Sequence, residues 1–210
     1  MLKEKFREWL KTILKNKRQI ILAILFFAVI CTINYYAGVY TTTKANVSEV
    51  QDIILDHLPA IDLSLIFVWL FIAIFAVLYV YPIVFRPDKI AYSFFMIGLW
   101  ILVRAIFICL THLKTPASAI MATFPSWFQT FSFNNDMFFS GHAGLPFMCF
   151  LIFRKYNKFV GYFMLVASII NSITVLFMHQ HYSIDVLSAF FITYGVYIIG
   201  DKIFNGDNKK

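Results

Sequence analysis

The sequence predicts an all-α, polytopic membrane protein with six transmembrane helices and an N-terminal amphipathic interfacial helix. Hydrophobic residues make up 60% of the 210-residue chain, a larger share than soluble domains carry. They are concentrated in blocks of about twenty residues, the length that crosses a hydrocarbon core roughly 30 Å thick. The expected spans are residues 19–38, 63–85, 90–110, 140–153, 159–178 and 184–204.

The N-terminal residues 2–17 differ from these blocks, because apolar side chains alternate there with Lys and Glu at intervals of three and four. This pattern indicates an amphipathic helix lying on the membrane surface. The apolar segment that follows is too long for a signal peptide, and no clear small-x-small cleavage site follows it. We therefore expect a cytoplasmic amphipathic helix at 1–18 and a six-helix transmembrane domain at 19–210.

The fourth block, residues 140–153, is short for a membrane span. Either its helix begins within the preceding residues 137–139, or its outer end lies below the lipid surface. Pro146 falls in the first turns of this helix, where proline is best tolerated, although a kink is the alternative.

The distribution of positive charge predicts the orientation. Fifteen of the 18 Lys and Arg residues fall on one side of the predicted spans, and only Lys44 and Lys114 fall on the other. The positive-inside rule places both termini in the cytoplasm. The net charge of +7 is thereby explained by topology and anionic lipid, so no nucleic-acid partner is expected. The sequence carries no indication of oligomeric state.

Two short polar segments at the edges of apolar blocks contain the candidate chemistry. The first includes His142, and the second includes His181 and Asp185. In the predicted topology all three lie at the extracytoplasmic (periplasmic or lumenal) face. Arg104 lies in the third span, nearer its outer end, so these four polar groups can share one site.

The residue types in these segments suit chemistry on a phosphate group. If the stretch from His181 to Asp185 is helical, the two side chains share one face and the carboxylate orients the imidazole. The other ring nitrogen of His181 is then free as a nucleophile or base. The turn at Ser140 and Gly141 supplies an N-cap and backbone N–H groups, which favour phosphate oxygens.

Structural roles are the alternative for each of these residues. A single histidine at a membrane interface is more often structural than catalytic, and an arginine near the end of a span can extend to the interface. We interpret His57, His112 and His179 as loop or interface residues. The three cysteines have no paired spacing, and an arginine beside two histidines and an aspartate disfavours a cation, so neither a metal site nor a cofactor is expected.

Together the motifs resemble the sphingomyelin synthase family, within the type-2 phosphatidic acid phosphatase-like superfamily of lipid phosphatases and phosphotransferases. The segment from Asp136 to His142 is similar to the Gly-Asp-x-x-x-Ser-Gly-His block of that family. The segment from His179 to Val186 is similar to its His-x-His-Tyr-Thr-x-Asp-Val block. A third signature resembles the stretch from Arg104 to Pro116. The resemblance covers about residues 95–205.

Several departures bear on which branch the chain resembles. The phosphatase branch carries a Lys-x6-Arg-Pro motif, but Tyr79 stands here in place of the lysine before Arg86-Pro87, and Arg86 is expected on the opposite side of the membrane. Val175 occupies the place of that branch's arginine before the second histidine. Both absences favour a transferase. Relative to the synthases, Asn135 replaces a glycine and Ala143 a threonine, and the long N-terminal extension of animal members is missing.

The resemblance implies transfer of a phospho-headgroup from a membrane phospholipid donor to a lipid-alcohol acceptor, such as ceramide or a diacylglycerol-like alcohol. His181 is the expected nucleophile, Asp185 orients it, and His142 is the expected general acid and base. The residues expected to bind substrate are Arg104, Asp136, Ser140, Gly141 and Tyr182, with Asp136 supporting His142. A lipid phosphatase or phospholipase C-type hydrolase of the same superfamily is the main alternative, and a non-catalytic lipid-binding membrane protein is a second.

Overall fold

The protein is a bundle of helices that converge at one end on the two polar segments. A computed structural model describes residues 2–129 and 133–206, and it contains no β-strand in those ranges. The α-helices described are α1 (Leu2–Thr43), α2 (Ser64–Phe85), α3 (Ile90–Leu110), α4 (Ser126–Gln129), α5 (Gly141–Phe153), α6 (Lys158–Phe177) and α7 (Ser183–Asn205). Short 3₁₀ turns at Leu55–His57 and Pro87–Lys89 precede α2 and α3.

The first helix is longer than the sequence predicts. The interfacial segment expected at residues 2–17 and the span expected at 19–38 form one continuous helix, α1, of 42 residues. At a rise of about 1.5 Å per residue this helix is about 63 Å long, roughly twice the thickness of the hydrocarbon core. The indole N–H of Trp9 donates a hydrogen bond to the carbonyl of Ile83, 2.8 Å away. The amphipathic segment is therefore helical as predicted, but no helix end separates it from the first span and it contacts the last turn of α2.

Five helices in the described residues are long and apolar enough to cross a membrane, namely α1, α2, the helix ending at Leu110, α6 and α7. This number indicates an integral membrane protein. The fourth predicted span corresponds to α5, which has 13 residues and a length of about 20 Å. It starts at Gly141 because residues 137–139 are not helical. The expected count of six spans is therefore not confirmed.

The short helix α5 is the centre of the bundle. Nearly all of its residues from Ala143 to Phe153 are buried, because α6 and α7 pack against it along its length. Against α3 the contact is close at Gly144, where a Cβ atom would come within 2.8 Å of the Trp100 ring. The Trp100 indole N–H donates to the Thr193 hydroxyl at 2.8 Å and joins α3 to α7. A short helix at this position is surrounded by protein, so it has no need to match the thickness of the lipid.

The connections at one end of the bundle are tied together by backbone hydrogen bonds. Ser48, between α1 and α2, accepts from Lys114 N–H and donates to His112, which follows α3, both at 3.0 Å. Ile61, just before α2, donates to the carbonyl of Phe177 at the end of α6 at 2.7 Å. These bonds join the segment between α1 and α2 to the segment that follows α3 and to the end of α6.

Candidate active site

The two motif halves are directly hydrogen-bonded to each other. The backbone N–H of Ser140, the residue before α5, donates to the carbonyl of Asp185 in the first turn of α7 at 3.1 Å. Ser140 also caps α5, as predicted, because its hydroxyl oxygen accepts a hydrogen bond from the N–H of Ala143. The start of α5 and the start of α7 are thus fixed relative to each other, which brings together residues that are about forty positions apart in the chain.

His181 contacts Asp185, but His181 lies before the first residue of α7 and not within the helix. Helix α7 begins at Ser183, and Asp185 is the third residue of a capping box whose N-cap is Tyr182. One carboxylate oxygen, Oδ2, accepts from the N–H of Tyr182 at 3.0 Å and lies 3.4 Å from Nδ1 of His181. The helical i, i+4 arrangement considered from sequence is therefore replaced by a cap. The consequence for the imidazole is the same, because the carboxylate faces Nδ1 and leaves Nε2 uncommitted.

His142 lies between two aromatic rings of α2. Its imidazole is 4.2 Å from the ring of Phe67 and 4.0 Å from the ring of Phe71, between centroids. Its Nε2 atom is buried and has no hydrogen-bond partner among the described residues. The two imidazole rings, of His142 and His181, are 6.3 Å apart between centroids. The two imidazoles are thus close neighbours, and each has a nitrogen for which no hydrogen bond is recorded in the described residues.

Arg104 organises the loop that precedes α5. Its guanidinium group donates from Nε to the carbonyl of Phe139 at 2.9 Å, from Nη1 to Oδ2 of Asp136 at 2.9 Å, and from Nη2 to the carbonyl of Asp136 at 3.1 Å. Nη2 also lies 2.8 Å from Oδ1 of the same carboxylate. The anion that compensates this arginine is therefore Asp136. Within the described residues, the Asp136 carboxylate is hydrogen-bonded to Arg104 and has no recorded bond to His142, the residue that it was expected to support.

A cavity of about 770 Å³ opens beside the histidine pair. His142, His181, Arg104, Asp136 and Gly141 all contribute to its wall. The remainder of the wall is largely apolar and aromatic, with side chains from three helices that include Phe27, Tyr35, Phe67, Phe71, Tyr79 and Trp100. A volume of this size exceeds what a phosphoryl group alone requires and falls within the range of sites for whole small molecules.

Three of the predicted site residues stand behind the cavity wall rather than in it. Ser140 and Asp185 are fully buried, and neither is among the described residues that line the cavity. The Tyr182 hydroxyl donates to the carbonyl of Lys114 at 3.0 Å and accepts from the N–H of Val50 at 3.3 Å. Tyr182 therefore attaches the connecting segments to the start of α7, and its hydroxyl is occupied by the backbone.

Two residues outside the predicted site also connect these segments. The ring of His179, interpreted from sequence as a loop or interface residue, lies 2.6 Å from the Ser118 hydroxyl through Nδ1 and 3.0 Å from the carbonyl of Leu58 through Nε2. Asp52, in the segment between α1 and α2, is buried and accepts a hydrogen bond from the N–H of Ser183. The only sequence signal for Asp52 is a capping residue before a short turn, since its partner is 131 positions away.

The side chains around the cavity indicate whether a metal or cofactor could bind there. In the part of the chain that the structure describes, no group of three or more His, Cys, Asp or Glu side chains is arranged as metal ligands. The groups that face the cavity are two imidazoles and an arginine–aspartate ion pair. Imidazoles are able to act as nucleophiles or proton carriers, and a guanidinium group donates hydrogen bonds.

Comparison with known proteins gives one match. Searches of curated proteins and of solved structures find no match to this chain. A family model described as PAP2 superfamily C-terminal matches residues 135–202, a region that includes both motif halves and the α5–α7 core. The match supports the type-2 phosphatidic acid phosphatase-like superfamily, and with it an enzyme of lipid phosphatase or phosphotransferase chemistry.

Proposed function

We propose that the protein is a membrane phosphotransferase that moves a phospho-headgroup from a glycerophospholipid to a lipid alcohol such as ceramide, as sphingomyelin synthases do. The observation that carries this proposal is the pair of imidazoles, 6.3 Å apart, on one wall of a large aromatic cavity. One ring is backed by a buried carboxylate, and the other has a buried nitrogen without a partner in the described residues. A phosphoryl group placed between them has a nucleophile on one side and a proton donor on the other.

The first chemical step is attack by Nε2 of His181 on the phosphorus of the donor. The nitrogen–phosphorus bond forms as the bond from phosphorus to the diacylglycerol oxygen breaks, and His142 gives its proton to that departing oxygen. Asp185 faces Nδ1 and stabilises the positive charge that develops on the ring of His181. The products are diacylglycerol and a phosphohistidine that carries the headgroup.

In the second step the nitrogen–phosphorus bond breaks, and His142 acts as a general base instead of a general acid. His142, now neutral, takes the proton of the acceptor hydroxyl while the acceptor oxygen attacks phosphorus. The nitrogen–phosphorus bond breaks, and His181 returns to its neutral form. A single proton carrier thereby serves both displacements, which is why two histidines are sufficient for a two-step transfer.

The balance of charge favours a phosphodiester over a phosphomonoester as the donor. Arg104 is the only Lys or Arg among the described residues that line the cavity, and its charge is compensated by Asp136. A phosphodiester brings one negative charge, whereas a phosphomonoester brings about 1.5 to 2 at neutral pH. The second negative charge of a phosphomonoester would lack a partner in a site that already contains two carboxylates.

The apolar wall of the cavity favours a lipid alcohol over water as the acceptor. Aromatic rings from α2 enclose His142 on both faces, and further aromatic side chains continue the cavity toward α1. Such a surface stabilises an acyl or sphingoid chain and excludes water from the bond that is to be broken. Because nearly all Lys and Arg fall on the other side of the predicted spans, we place this site on the extracytoplasmic side of the membrane, with both termini in the cytoplasm.

Reconstitution in vesicles tests the proposal. The purified protein is given labelled phosphatidylcholine, phosphatidylethanolamine, phosphatidylinositol or phosphatidic acid, each with and without ceramide. Formation of a new phospholipid that depends on ceramide is expected, with phosphatidic acid inactive as a donor. Release of free phosphate or a phosphoalcohol without an acceptor would instead establish a hydrolase. Absence of turnover with every donor and acceptor would overturn the enzymatic proposal.

A further inference from the structure

One carboxylate in the segment between α1 and α2 connects that segment to the start of α7. Oδ1 of Asp52 accepts from the N–H groups of Ile54 at 2.9 Å and Leu55 at 3.2 Å, which fixes the turn that follows it. Oδ2 accepts from the N–H of Ser183, the first residue of α7, at 2.5 Å. Asp52 is only 8% exposed, which is unusual for a carboxylate in a connecting segment.

The donor end of this connection, the N–H of Ser183, is close in sequence to His181 of the histidine pair. Ser183 lies two residues after His181 and two before Asp185. The same first turn of α7 is held from its other side by the bond from Ser140 to the carbonyl of Asp185. The orientation of the His181 ring therefore depends on a turn that is fixed at two points, one of which is a side chain from a distant part of the sequence.

We propose that Asp52 is a positioning residue for the reaction, which holds the first turn of α7 so that His181 faces the phosphoryl group. Asp52 does not line the cavity and has no contact with substrate in this role. It acts through Ser183, by a hydrogen bond to a backbone group that the helix itself leaves unpaired. The contribution of Asp52 to catalysis rests on the proposed function. Its contribution to the structure of the first turn of α7 does not.

The chain offers substitutions that separate this hydrogen bond from general damage. Ser183→Pro removes the donating N–H at the first position of a helix, where proline is well accepted. The preceding residue, Tyr182, has φ −69° and ψ 156°, which are the values that a residue before proline prefers. Ser183→Ala retains the backbone N–H and removes only the hydroxyl, which also hydrogen-bonds Asp52, so it is the matched control for the loss of the side chain in Ser183→Pro. Asp52→Asn replaces one acceptor oxygen by an NH₂ group, so one of the two sets of bonds is lost.

A second control lies in the same segment. Asp62 also accepts from a backbone N–H and a hydroxyl, both of Ser64, but it is exposed and its bonds are local to the start of α2. Asp62→Asn therefore makes the same chemical change in the same connection without affecting α7. Comparison of Asp52→Asn with Asp62→Asn separates a carboxylate that reaches α7 from one whose bonds are local, and Ser183→Pro tests the bond to Ser183 directly.

Two measurements on the full-length protein decide the matter. Hydrogen exchange of the backbone amides at 182–186 in detergent micelles should be faster in Asp52→Asn and Ser183→Pro than in the wild type, Ser183→Ala and Asp62→Asn. In vesicles, the same two variants should lose about 10-fold to 100-fold in kcat with KM for the donor unchanged, since displacement of a catalytic group by about 1 Å has an effect of that order.

The outcomes are distinct. Unchanged hydrogen exchange in both Asp52→Asn and Ser183→Pro would show that Asp52 does not hold the first turn of α7. Faster hydrogen exchange with a normal kcat would show that Asp52 holds the turn but does not position His181. A wild-type protein without lipid turnover would remove the proposed function, while the exchange data would still decide whether Asp52 holds the turn. Thermal unfolding of each variant shows whether it is folded, and a folded Ser183→Pro protein suffices if Asp52→Asn does not fold.

Discussion

Arg104 and Asp136 form a partly buried ion pair, with 2.8 Å between Nη2 and Oδ1, at the mouth of the loop that leads into α5. The guanidinium group also binds two backbone carbonyls of this loop. Its planar arrangement of donors is what allows one side chain to make all of these contacts. The arginine therefore has two functions, to compensate a carboxylate and to determine the path of the chain before His142.

Replacement of Arg104 tests this interpretation. We expect Arg104→Ala to lower the free energy of unfolding by about 1–3 kcal/mol, because it leaves a partly buried carboxylate without its hydrogen-bond donors. Arg104→Lys should restore only part of that loss, since a compact ammonium group cannot reproduce the fork of donors. Unfolding by titration with SDS measures both. The control is Arg154→Lys at an exposed position, expected to change stability by less than about 1 kcal/mol.

Replacement of the two histidines tests the assignment of nucleophile and proton carrier. His181→Ala should abolish headgroup transfer, and His142→Ala should lower kcat by about 10²-fold to 10⁴-fold, the usual contribution of a general acid and base. Initial rates in vesicles measure both effects. His57→Ala is the matched control, because that ring is exposed and its hydrogen bond recorded among the described residues is local, to the carbonyl of Ile53. Retention of half the wild-type rate by His181→Ala would exclude it as the nucleophile.

A pair of glycines tests the packing of α5. In Gly144→Ala the new methyl group would lie 2.8 Å from the Trp100 ring and 3.0 Å from the Thr193 hydroxyl, so we expect a loss of about 1–3 kcal/mol from overpacking. Gly195→Ala, in α7, meets no atom within 4 Å. It should be neutral or stabilising by about 0.5–1 kcal/mol, the helix preference for alanine. Thermal unfolding in detergent distinguishes the two, and equal effects would contradict the packing described for α5.

Acid should weaken the connection made by Asp52. Burial raises the pKa of Asp52, but the hydrogen bonds from Ser183, Leu55 and Ile54 outweigh it, so the pKa is lowered overall. A carboxyl group with a lowered pKa in the folded state stabilises the fold above its ordinary value, near pH 4, and loses that contribution as the pH falls through the lower value. The wild type should therefore be more stable than Asp52→Asn at pH 7, with the difference shrinking at about pH 3.

Melting temperatures of the two proteins across this range provide the measurement. Asp56→Asn is the control, at an exposed aspartate of the same segment, and should show no such convergence with the wild type. A constant difference between the wild type and Asp52→Asn from pH 7 to pH 3 would contradict an ionised Asp52 in the folded protein.

The helices of this protein were predictable because their limits are marked in the sequence. The predicted spans 63–85, 90–110, 140–153, 159–178 and 184–204 each agree within one residue with a helix of the structure. Long apolar runs that end at charged residues, proline or short polar turns leave little choice of helix boundary. The continuity of α1 was not predictable in the same way, because the composition changes near residue 18 while the backbone conformation does not.

The arrangement of the site was predictable only in part. The closeness of His142, His181 and Asp185 follows from topology, because consecutive antiparallel helices return to the same end of a bundle. The choice of partners does not follow from it. Asp136 was expected to support His142, and only the loop geometry shows that it bonds to Arg104. The bond from Asp52 to Ser183 depends on how a connecting segment folds, which no periodicity in the sequence records.

The hydrogen bond from Ser140 to Asp185 joins the beginnings of α5 and α7. In the proposed reaction we therefore expect the two imidazoles to keep their separation while a lipid enters. Any widening of the route for a lipid must then come from α1, α2 or the segments between the helices, whose displacement leaves that bond intact. Cross-links placed between α1 and α2 should accordingly slow lipid exchange, whereas cross-links between α5 and α7 should leave it unaltered.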